Sequence, residues 1–334
     1  MTTVLVATTG GHLTQLVGLA ERITPDPEAV WVTHANEQST SLLAGRDVEY
    51  VPYVGVRDVR GVLRSMALAH SLYRRRRPTR AVSTGSGIAL GYLPYLAARG
   101  VECHYIESAA RVGGPSLTGR ILRWVPGVHT YTQYRRWSGP HWTYGGNGFD
   151  AYEPFPTDRQ LGDRIRVVVT VGTAAEFPFR RLVVALARLL GPGGELERAT
   201  ARPVDVLWQT GCTPVNDLPI RATPFLPAAD LVAALADADI VVSHAGTGSA
   251  LANLAAGRFA VMASRVAALG EAGDDHQREL AEELVGRGLA VHRNPDAITV
   301  EDLLAGLRTA VRRRADVPAF ALRQAPERAR SRVP

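Results

Sequence analysis

Residues 239–255 read DIVVSHAGTGSALANLA, an apolar run that ends at His244, turns into small polar residues and resumes as an Ala- and Leu-rich segment. Residues 4–20, VLVATTGGHLTQLVGLA, have the same order. A short apolar run, a glycine cluster and a longer periodic segment are typical of a buried strand, a tight turn and a helix. Two such units far apart in the chain indicate that a parallel sheet is built twice.

Short apolar runs separated by helical segments extend across both halves of the chain. VLVATT, AVWVTH, VEYVPY, AVSTGS and CHYIES read as strands, and the pattern restarts at Arg166 with RVVVTVGT, VDVLWQTG, DIVVSHAG, FAVMAS and LAVHR. Strands that alternate with helices predict doubly wound parallel sheets. We therefore predict an α/β protein with two Rossmann-like domains, residues 1–150 and 166–334. A linker at 151–165 joins them, and a C-terminal segment packs back on the first domain.

Composition narrows the classes of function. The chain has 334 residues, 46% hydrophobic and 21% charged, with a net charge of +6, and all 38 of its basic residues are arginine. Cys103 and Cys212 are too few for a disulfide framework or a metal site. No apolar run approaches the ~20 residues that span a bilayer. We predict a cytoplasmic protein, at most peripheral to the inner face of the membrane, without a metal and without a nucleic-acid partner.

Glycine loops follow four of the predicted strands, at residues 8–16, 83–90, 171–177 and 244–249. The carboxyl edge of an open α/β sheet is where ligands bind, so such loops in two adjacent domains predict a cleft between the domains. Glycine at a helix N-terminus lets a phosphate approach unpaired backbone N–H groups, although every α/β protein also needs tight turns. A Walker A loop is excluded because the chain has no lysine.

His12 follows two glycines at the start of a predicted helix. A neutral imidazole in that position can face the cleft and take a proton from an acceptor hydroxyl, because its pKa lies near the working pH. The alternative is that His12 caps the helix. Placement between Gly11 and the apolar Leu13 favours the catalytic role.

Several motifs together resemble glycosyltransferase family 28, whose members have the GT-B fold. The segments TGGHLTQL, STGSG and YIESAARVGGPSLTGRIL are similar to the acceptor-side subunit of the two-subunit GlcNAc transferase of dolichol-linked oligosaccharide synthesis. The segments VTVGT, WQTG, SHAGTGSAL and DDHQRELAEEL are similar to its donor-side subunit. The chain therefore resembles a fusion of both halves, with SHAGTGS and the D-x-Q pattern as the most specific part.

The resemblance implies an inverting transfer from a nucleotide sugar, usually UDP-linked, without a bound metal or other cofactor. His12 and Glu107 are the implied candidates for the general base. The implied donor-binding residues are Gly172, Thr173, Gln209, Gly211, Phe225, Leu226, His244, Gly246, Thr247, Gly248, Ser249, Asn253, Asp275, His276 and Gln277. The implied acceptor-binding residues are Gly10, Gly11, Thr84, Gly85, Ser108 and Arg111.

One position departs from the family pattern. The family usually has a glutamate for the ribose hydroxyls in the helix after the HAG loop, and by spacing that position is Ala252 here. Asn253 can substitute if the helix is slightly rotated. Otherwise the base is not uracil, or the site has degenerated.

The acceptor leaves a weaker signal in the sequence. Residues 71–78, SLYRRRRP, and 117–127, LTGRILRWVPG, combine arginine with apolar side chains and could contact anionic lipid headgroups. The arginine run alone is better explained as a solvated helix end before Pro78. A lipid-linked acceptor is the leading expectation, and a small natural-product aglycone stays open. The rival functions are a nucleotide-sugar 2-epimerase and a non-catalytic sugar-nucleotide-binding subunit.

Overall fold

The computed structural model describes residues 2–23, 27–55, 57–159, 161–172 and 177–323. Within these ranges the chain forms two parallel sheets covered by helices on both faces, which confirms the predicted α/β fold with two Rossmann-like domains. No helix in the described ranges combines the length and the apolarity needed to cross a membrane.

The first sheet contains seven strands. They are β1 (Thr3–Ala7), β2 (Val30–His34), β3 (Val48–Val51), β4 (Arg80–Gly85), β5 (Glu102–Ile106), β6 (Val128–Thr132) and β7 (Thr143–Tyr144). The helices that connect them are α1 (Gly11–Ala20), α2 (Glu37–Leu42), α3 (Val59–Arg76), α4 (Gly87–Ala97) and α5 (Leu117–Leu122). The strand order is β3-β2-β1-β4-β5-β6-β7, and all pairs are parallel.

The second sheet repeats this order. Between the sheets lies β8 (Tyr152–Pro156), and the second sheet contains β9 (Ile165–Thr170), β10 (Val204–Gln209), β11 (Ala222–Thr223), β12 (Ile240–His244), β13 (Ala260–Ala263) and β14 (Ala290–Arg293). Its helices are α6 (Arg180–Leu190), α7 (Glu195–Thr200), α8 (Ala228–Asp237), α9 (Thr247–Ala255), α10 (His276–Gly286) and α11 (Val300–Arg308). The order β11-β10-β9-β12-β13-β14 is parallel throughout.

Continuous apolar runs form the central strands because both faces of each sheet are buried. In β1, Val4 and Val6 pack into the cluster on one face, whereas Leu5 packs into the cluster on the other. In β9, Val167 and Val168 point to opposite faces in the same way. This double burial explains why the runs lack the alternation of a half-exposed strand.

The segment 151–165, predicted as an irregular linker, contains a strand. β8 pairs antiparallel with β15 (Thr309–Arg313), with Tyr152 opposite Arg313 and Pro156 opposite Thr309. Neither strand was predicted from the sequence, because the two partners are distant in the chain and β8 contains two prolines. Proline is tolerated in a strand at a sheet edge.

The chain returns to the first domain after β15. Phe320 is buried in the same cluster as Leu19 and Tyr131, and the Ala321 N–H donates to the Gly145 carbonyl at 2.7 Å. A Cβ on Gly145 would collide with the Phe320 ring, so this position requires glycine. Residues 320 and 321 are therefore packed on the domain that begins the chain.

Each sheet has one point at which the chain reverses its winding direction, between β1 and β4 in the first domain and between β9 and β12 in the second. Loops diverge at such a point and leave a crevice at the carboxyl edge of the strands. The glycine loops at the N-termini of α1 and α9 lie at these two crevices.

Candidate active site

His12 occupies the crevice of the first domain, in the first turn of α1. Its Nδ1 lies 2.7 Å from the Thr84 carbonyl oxygen at the end of β4, and the Thr84 hydroxyl donates to the His12 carbonyl at 2.8 Å. A carbonyl only accepts, so in the neutral ring Nδ1 carries the hydrogen and Nε2 keeps a lone pair. A Cβ on Gly85 would lie 3.0 Å from Cε1 of His12, so glycine there leaves room for the ring.

The surroundings of His12 favour the neutral imidazole. Burial lowers its pKa below the ordinary value, the hydrogen bond with the Thr84 carbonyl raises it in part, and electrostatic interactions with Arg111 and His276 lower it further. A neutral ring with a free lone pair on Nε2 is the form that a general base requires.

The glycine loop before α1 is held by a side chain that the sequence analysis did not single out. Gly10 has a φ of +88°, and its N–H donates to Oε1 of Gln38 at 2.6 Å. Nε2 of Gln38 donates to the Thr14 hydroxyl at 3.1 Å. Gln38 belongs to α2, and the sequence pattern gives no indication that α2 packs beside this loop.

A second histidine fills the crevice of the second domain. A Cβ on Gly172 would lie 2.7 Å from Cε1 of His244, and a Cβ on Gly246 would collide with its Nε2. Nδ1 of His244 lies 3.2 Å from the Ser249 hydroxyl. These two glycines therefore accommodate an imidazole, in addition to any role in leaving backbone open to phosphate. Burial, followed by the charge of Arg265, lowers the pKa of His244 to about 3, so the ring is neutral.

The N-termini of α1 and α9 meet across the interdomain cleft. A Cβ on Gly11 would lie 3.3 Å from the backbone nitrogen of Gly248 and 3.3 Å from Cβ of Thr247. Both helix N-termini carry the positive end of a macrodipole. Their juxtaposition concentrates positive potential at one place, which suits a doubly charged anion such as a diphosphate.

The DDHQ segment bridges the two domains through Asp274. Its Oδ2 accepts a hydrogen bond from Nη1 of Arg111 at 2.7 Å, and its Oδ1 contacts Nδ1 of His276. Burial raises the pKa of Asp274, but the hydrogen bonds and charges of these two partners outweigh it and lower the pKa to about 2. The neighbouring Asp275 accepts instead from the Ala267 N–H at 3.1 Å. The motif predicted Asp275 and not Asp274, because spacing cannot distinguish adjacent carboxylates.

Glu107 is 1% exposed, and its carboxylate is occupied within the first domain. It accepts from the Ser116 N–H at 2.9 Å, the Ser116 hydroxyl at 3.0 Å, the Tyr105 hydroxyl at 3.1 Å and the Ser108 N–H at 3.1 Å. Burial raises its pKa, and the bonds from Ser116 and Ser108 oppose this. Since Ser116 is the N-cap of α5, Glu107 holds the start of that helix, and His12 is the better-placed base.

Two of the three predicted amide side chains form hydrogen bonds within their own domain. Asn253 donates to the Ser243 hydroxyl at 2.9 Å, so it lies on the inner face of α9 and is not brought to the cleft for a ribose. Gln277 accepts from the Arg265 N–H at 3.1 Å. Oε1 of Gln209 is buried and has no hydrogen-bond partner among the described residues, which leaves an acceptor available to a ligand.

The remaining predicted residues are placed as follows. The Gly211 N–H donates to the Pro224 carbonyl at 2.9 Å, and the Phe225 carbonyl accepts from the Thr223 hydroxyl at 3.1 Å, which fixes the loop that continues through Leu226. The Ser108 hydroxyl accepts from the Ala110 N–H at 3.2 Å. Thr173 lies outside the described residues.

Comparison with known proteins gives three findings. The Glycosyltransferase family 28 C-terminal domain matches residues 166–328. A UDP-N-acetylglucosamine--N-acetylmuramyl-(pentapeptide) pyrophosphoryl-undecaprenol N-acetylglucosamine transferase from Cupriavidus necator is 26% identical over 90% of this chain and 86% of its own length. MurG of Acinetobacter baumannii superposes with a TM-score of 0.56 at 17% identity, covering 91% of this chain and 89% of that one.

The same fold also occurs in another class of enzyme. UDP-GlcNAc 2-epimerase from Methanocaldococcus jannaschii superposes with a TM-score of 0.57 at 9% identity, covering 96% of both chains. Because identity this low relates folds alone, a choice between the two activities depends on the site.

Proposed function

We propose that this chain is a glycosyltransferase that transfers a sugar from a UDP-linked donor to a hydroxyl of a lipid-linked acceptor, with inversion. The match of residues 166–328 to the Glycosyltransferase family 28 C-terminal domain and the GT-B fold of the two domains support this proposal. The observation that carries the proposal is the position of His12. Nδ1 of His12 is hydrogen-bonded to the Thr84 carbonyl, and the N-terminus of α1, where His12 lies, contacts the N-terminus of α9.

The proposed reaction is a single displacement. Nε2 of His12 accepts the hydroxyl proton of the acceptor as the acceptor oxygen bonds to the anomeric carbon. The bond from that carbon to the diphosphate oxygen breaks on the opposite face, and UDP departs with the electron pair. The N-terminus of α9, at Thr247 and Gly248, stabilises the negative charge that develops on the leaving diphosphate. His276 is proposed to contact the donor sugar, with Asp274 fixing its ring.

The proposal is tested by incubating the protein with UDP-GlcNAc, the donor sugar of the Cupriavidus relative, and a polyprenyl-diphosphate-linked sugar. We expect release of UDP only when the acceptor is present, and an NMR spectrum that shows a β-linked product. An acceptor with its hydroxyl groups methylated is the control. Epimerised sugar released without acceptor would identify an epimerase. Binding of the nucleotide sugar without turnover would identify a non-catalytic subunit.

We also propose that α5 contacts an anionic membrane. Leu117 and Ile121 of α5 are 60% and 46% exposed, and Trp124, two residues after the helix, is 63% exposed. Arg120 and Arg123 lie between them in the sequence. An exposed apolar row flanked by cations suits the interface of an anionic bilayer.

The arginine run at 74–77 is a weaker candidate for this contact. Arg75 pairs with Glu49 at 2.7 Å and Arg76 pairs with Asp47 at 3.0 Å, so these cations already have partners in the first domain.

Replacing both Ile121 and Trp124 with serine should weaken binding to phosphatidylglycerol vesicles by roughly tenfold or more, because two apolar side chains no longer enter the interface. Cosedimentation with the vesicles measures the effect. Val285→Ser, which removes a 45% exposed apolar side chain from α10, is the matched control. Equal sedimentation of the double variant and the wild type would contradict the proposed membrane contact.

A further inference from the structure

Arg265 carries a buried positive charge that the mechanism above does not use. The residue follows β13, and its side chain is 4% exposed. Its Nη2 donates to the Val171 carbonyl at 2.5 Å, whereas Nε is buried without a hydrogen-bond partner. Within the described ranges, no carboxylate lies close enough to form an ion pair with it.

A buried guanidinium with no ion-pair partner among the described residues is in an unfavourable environment. Arginine stays protonated in proteins, and removal of its charge from water is costly unless an anion and hydrogen bonds compensate. Burial lowers the pKa of Arg265, and the opposing effects of Cys212 and Glu271 are smaller. Among the described residues, this buried cation therefore has a donor that is free to bind an anion.

The guanidinium lies beneath the crevice of the donor-side domain. β9, β12 and β13 are neighbours in the sheet, and Arg265 reaches from the end of β13 to the carbonyl that follows β9. Its charge is among the causes of the low pKa of His244, at the end of β12. The side chain thus crosses from the end of β13 to the end of β9, at the carboxyl edge where the chain reverses direction.

The surroundings hold Arg265 in this position before any ligand binds. Its guanidinium carbon lies 5.3 Å from the centre of the Phe179 ring, and its backbone N–H donates to Oε1 of Gln277 at 3.1 Å. An arginine fixed in this way loses little conformational entropy when it binds an anion.

We propose that Arg265 is the buried counter-charge for the diphosphate of the donor, acting with the N-terminus of α9. The inference rests on the proposed function, because it requires a nucleoside diphosphate at this crevice. Arg265 supplies the full positive charge, and the helix N-terminus supplies backbone N–H groups. The arrangement distinguishes a diphosphate from an uncharged nucleoside.

The test is the affinity of an Arg265→Gln variant for UDP and for uridine, measured by isothermal titration calorimetry. We expect UDP to bind roughly 30-fold or more weakly and uridine to bind as in the wild type, because only the charged hydrogen bonds are lost. The melting temperature without ligand should not fall, since the substitution removes a buried charge that has no ion-pair partner among the described residues. If the glutamine variant does not fold, Arg265→Lys, which keeps the charge with fewer donors, should bind UDP with intermediate affinity.

Arg181→Gln is the matched control, because Arg181 also lies over the Phe179 ring but is paired with Glu271 at 2.9 Å. Its affinity for UDP should stay close to that of the wild type. If Arg265→Gln weakened the binding of UDP and of uridine equally, Arg265 would have a structural role. If the affinity for UDP did not change, Arg265 would have no role in binding. Either result would overturn this inference and leave the proposed function standing. Failure of the wild type to bind UDP would overturn the proposed function and the inference together.

Discussion

Replacing His12 with alanine should lower turnover by about 10²–10⁴-fold and leave the dissociation constant for UDP nearly unchanged. The imidazole lies at the crevice of the first domain, whereas the proposed diphosphate site is formed mainly by α9 and Arg265 of the second. Loss of the ring therefore removes the group that accepts the hydroxyl proton without removing the groups that bind UDP. Steady-state kinetics and calorimetry on the same preparation measure the two effects.

The pH dependence of kcat/KM tests the role of His12 independently. Because burial lowers the pKa of His12 below its ordinary value of 6.5, the ring stays neutral down to a pH below that value. The ratio kcat/KM of the wild type should thus hold at neutral pH and fall only as the pH drops through that lowered pKa. The alanine variant should lose this acid limb.

His70→Ala serves as the control for both measurements, since His70 is on α3 and contacts the Tyr95 hydroxyl away from the cleft. If His12→Ala turned over as fast as the wild type, or if its kcat/KM still fell at low pH, His12 would not be the general base.

Replacing Gly248 with valine should weaken UDP binding by on the order of 10- to 100-fold and reduce activity in parallel. A Cβ at Gly248 would lie 3.5 Å from Cα of Gly11 and 3.8 Å from the Thr14 hydroxyl oxygen, so it already touches α1. The methyl groups of valine extend roughly 1.5 Å further and fill the gap between the two helix N-termini. Calorimetry with UDP measures the loss.

Gly18→Val is the matched control for this substitution. Gly18 is a helical glycine of α1 whose added Cβ would meet no atom within 4 Å. This substitution should lower the stability of α1 without changing the affinity for UDP. If UDP still bound to Gly248→Val but no longer bound to His12→Ala, the roles assigned to the two loops would be wrong.

Local patterns were sufficient to predict the parts of the fold that depend on neighbouring residues. The strand, glycine turn and helix at residues 4–20 and 239–255 were predicted because burial on both faces of a strand and amphipathic periodicity appear directly in the order of side chains. The same patterns placed His12 and the DDHQ segment at helix starts. They could not predict the β8–β15 pair, because its two strands are far apart in the chain.

The sequence by itself determined two parallel sheets and the positions of their glycine loops, because propensity and periodicity act over short distances. Only the tertiary structure decided which carboxylate of the GDD segment pairs with Arg111, that His244 occupies the space left by Gly172 and Gly246, and that Arg265 is buried beside Val171. These contacts depend on side chains that chain folding brings together from separate strands. Burial and unpaired charge are properties of that packing, so neither can be read from the order of residues.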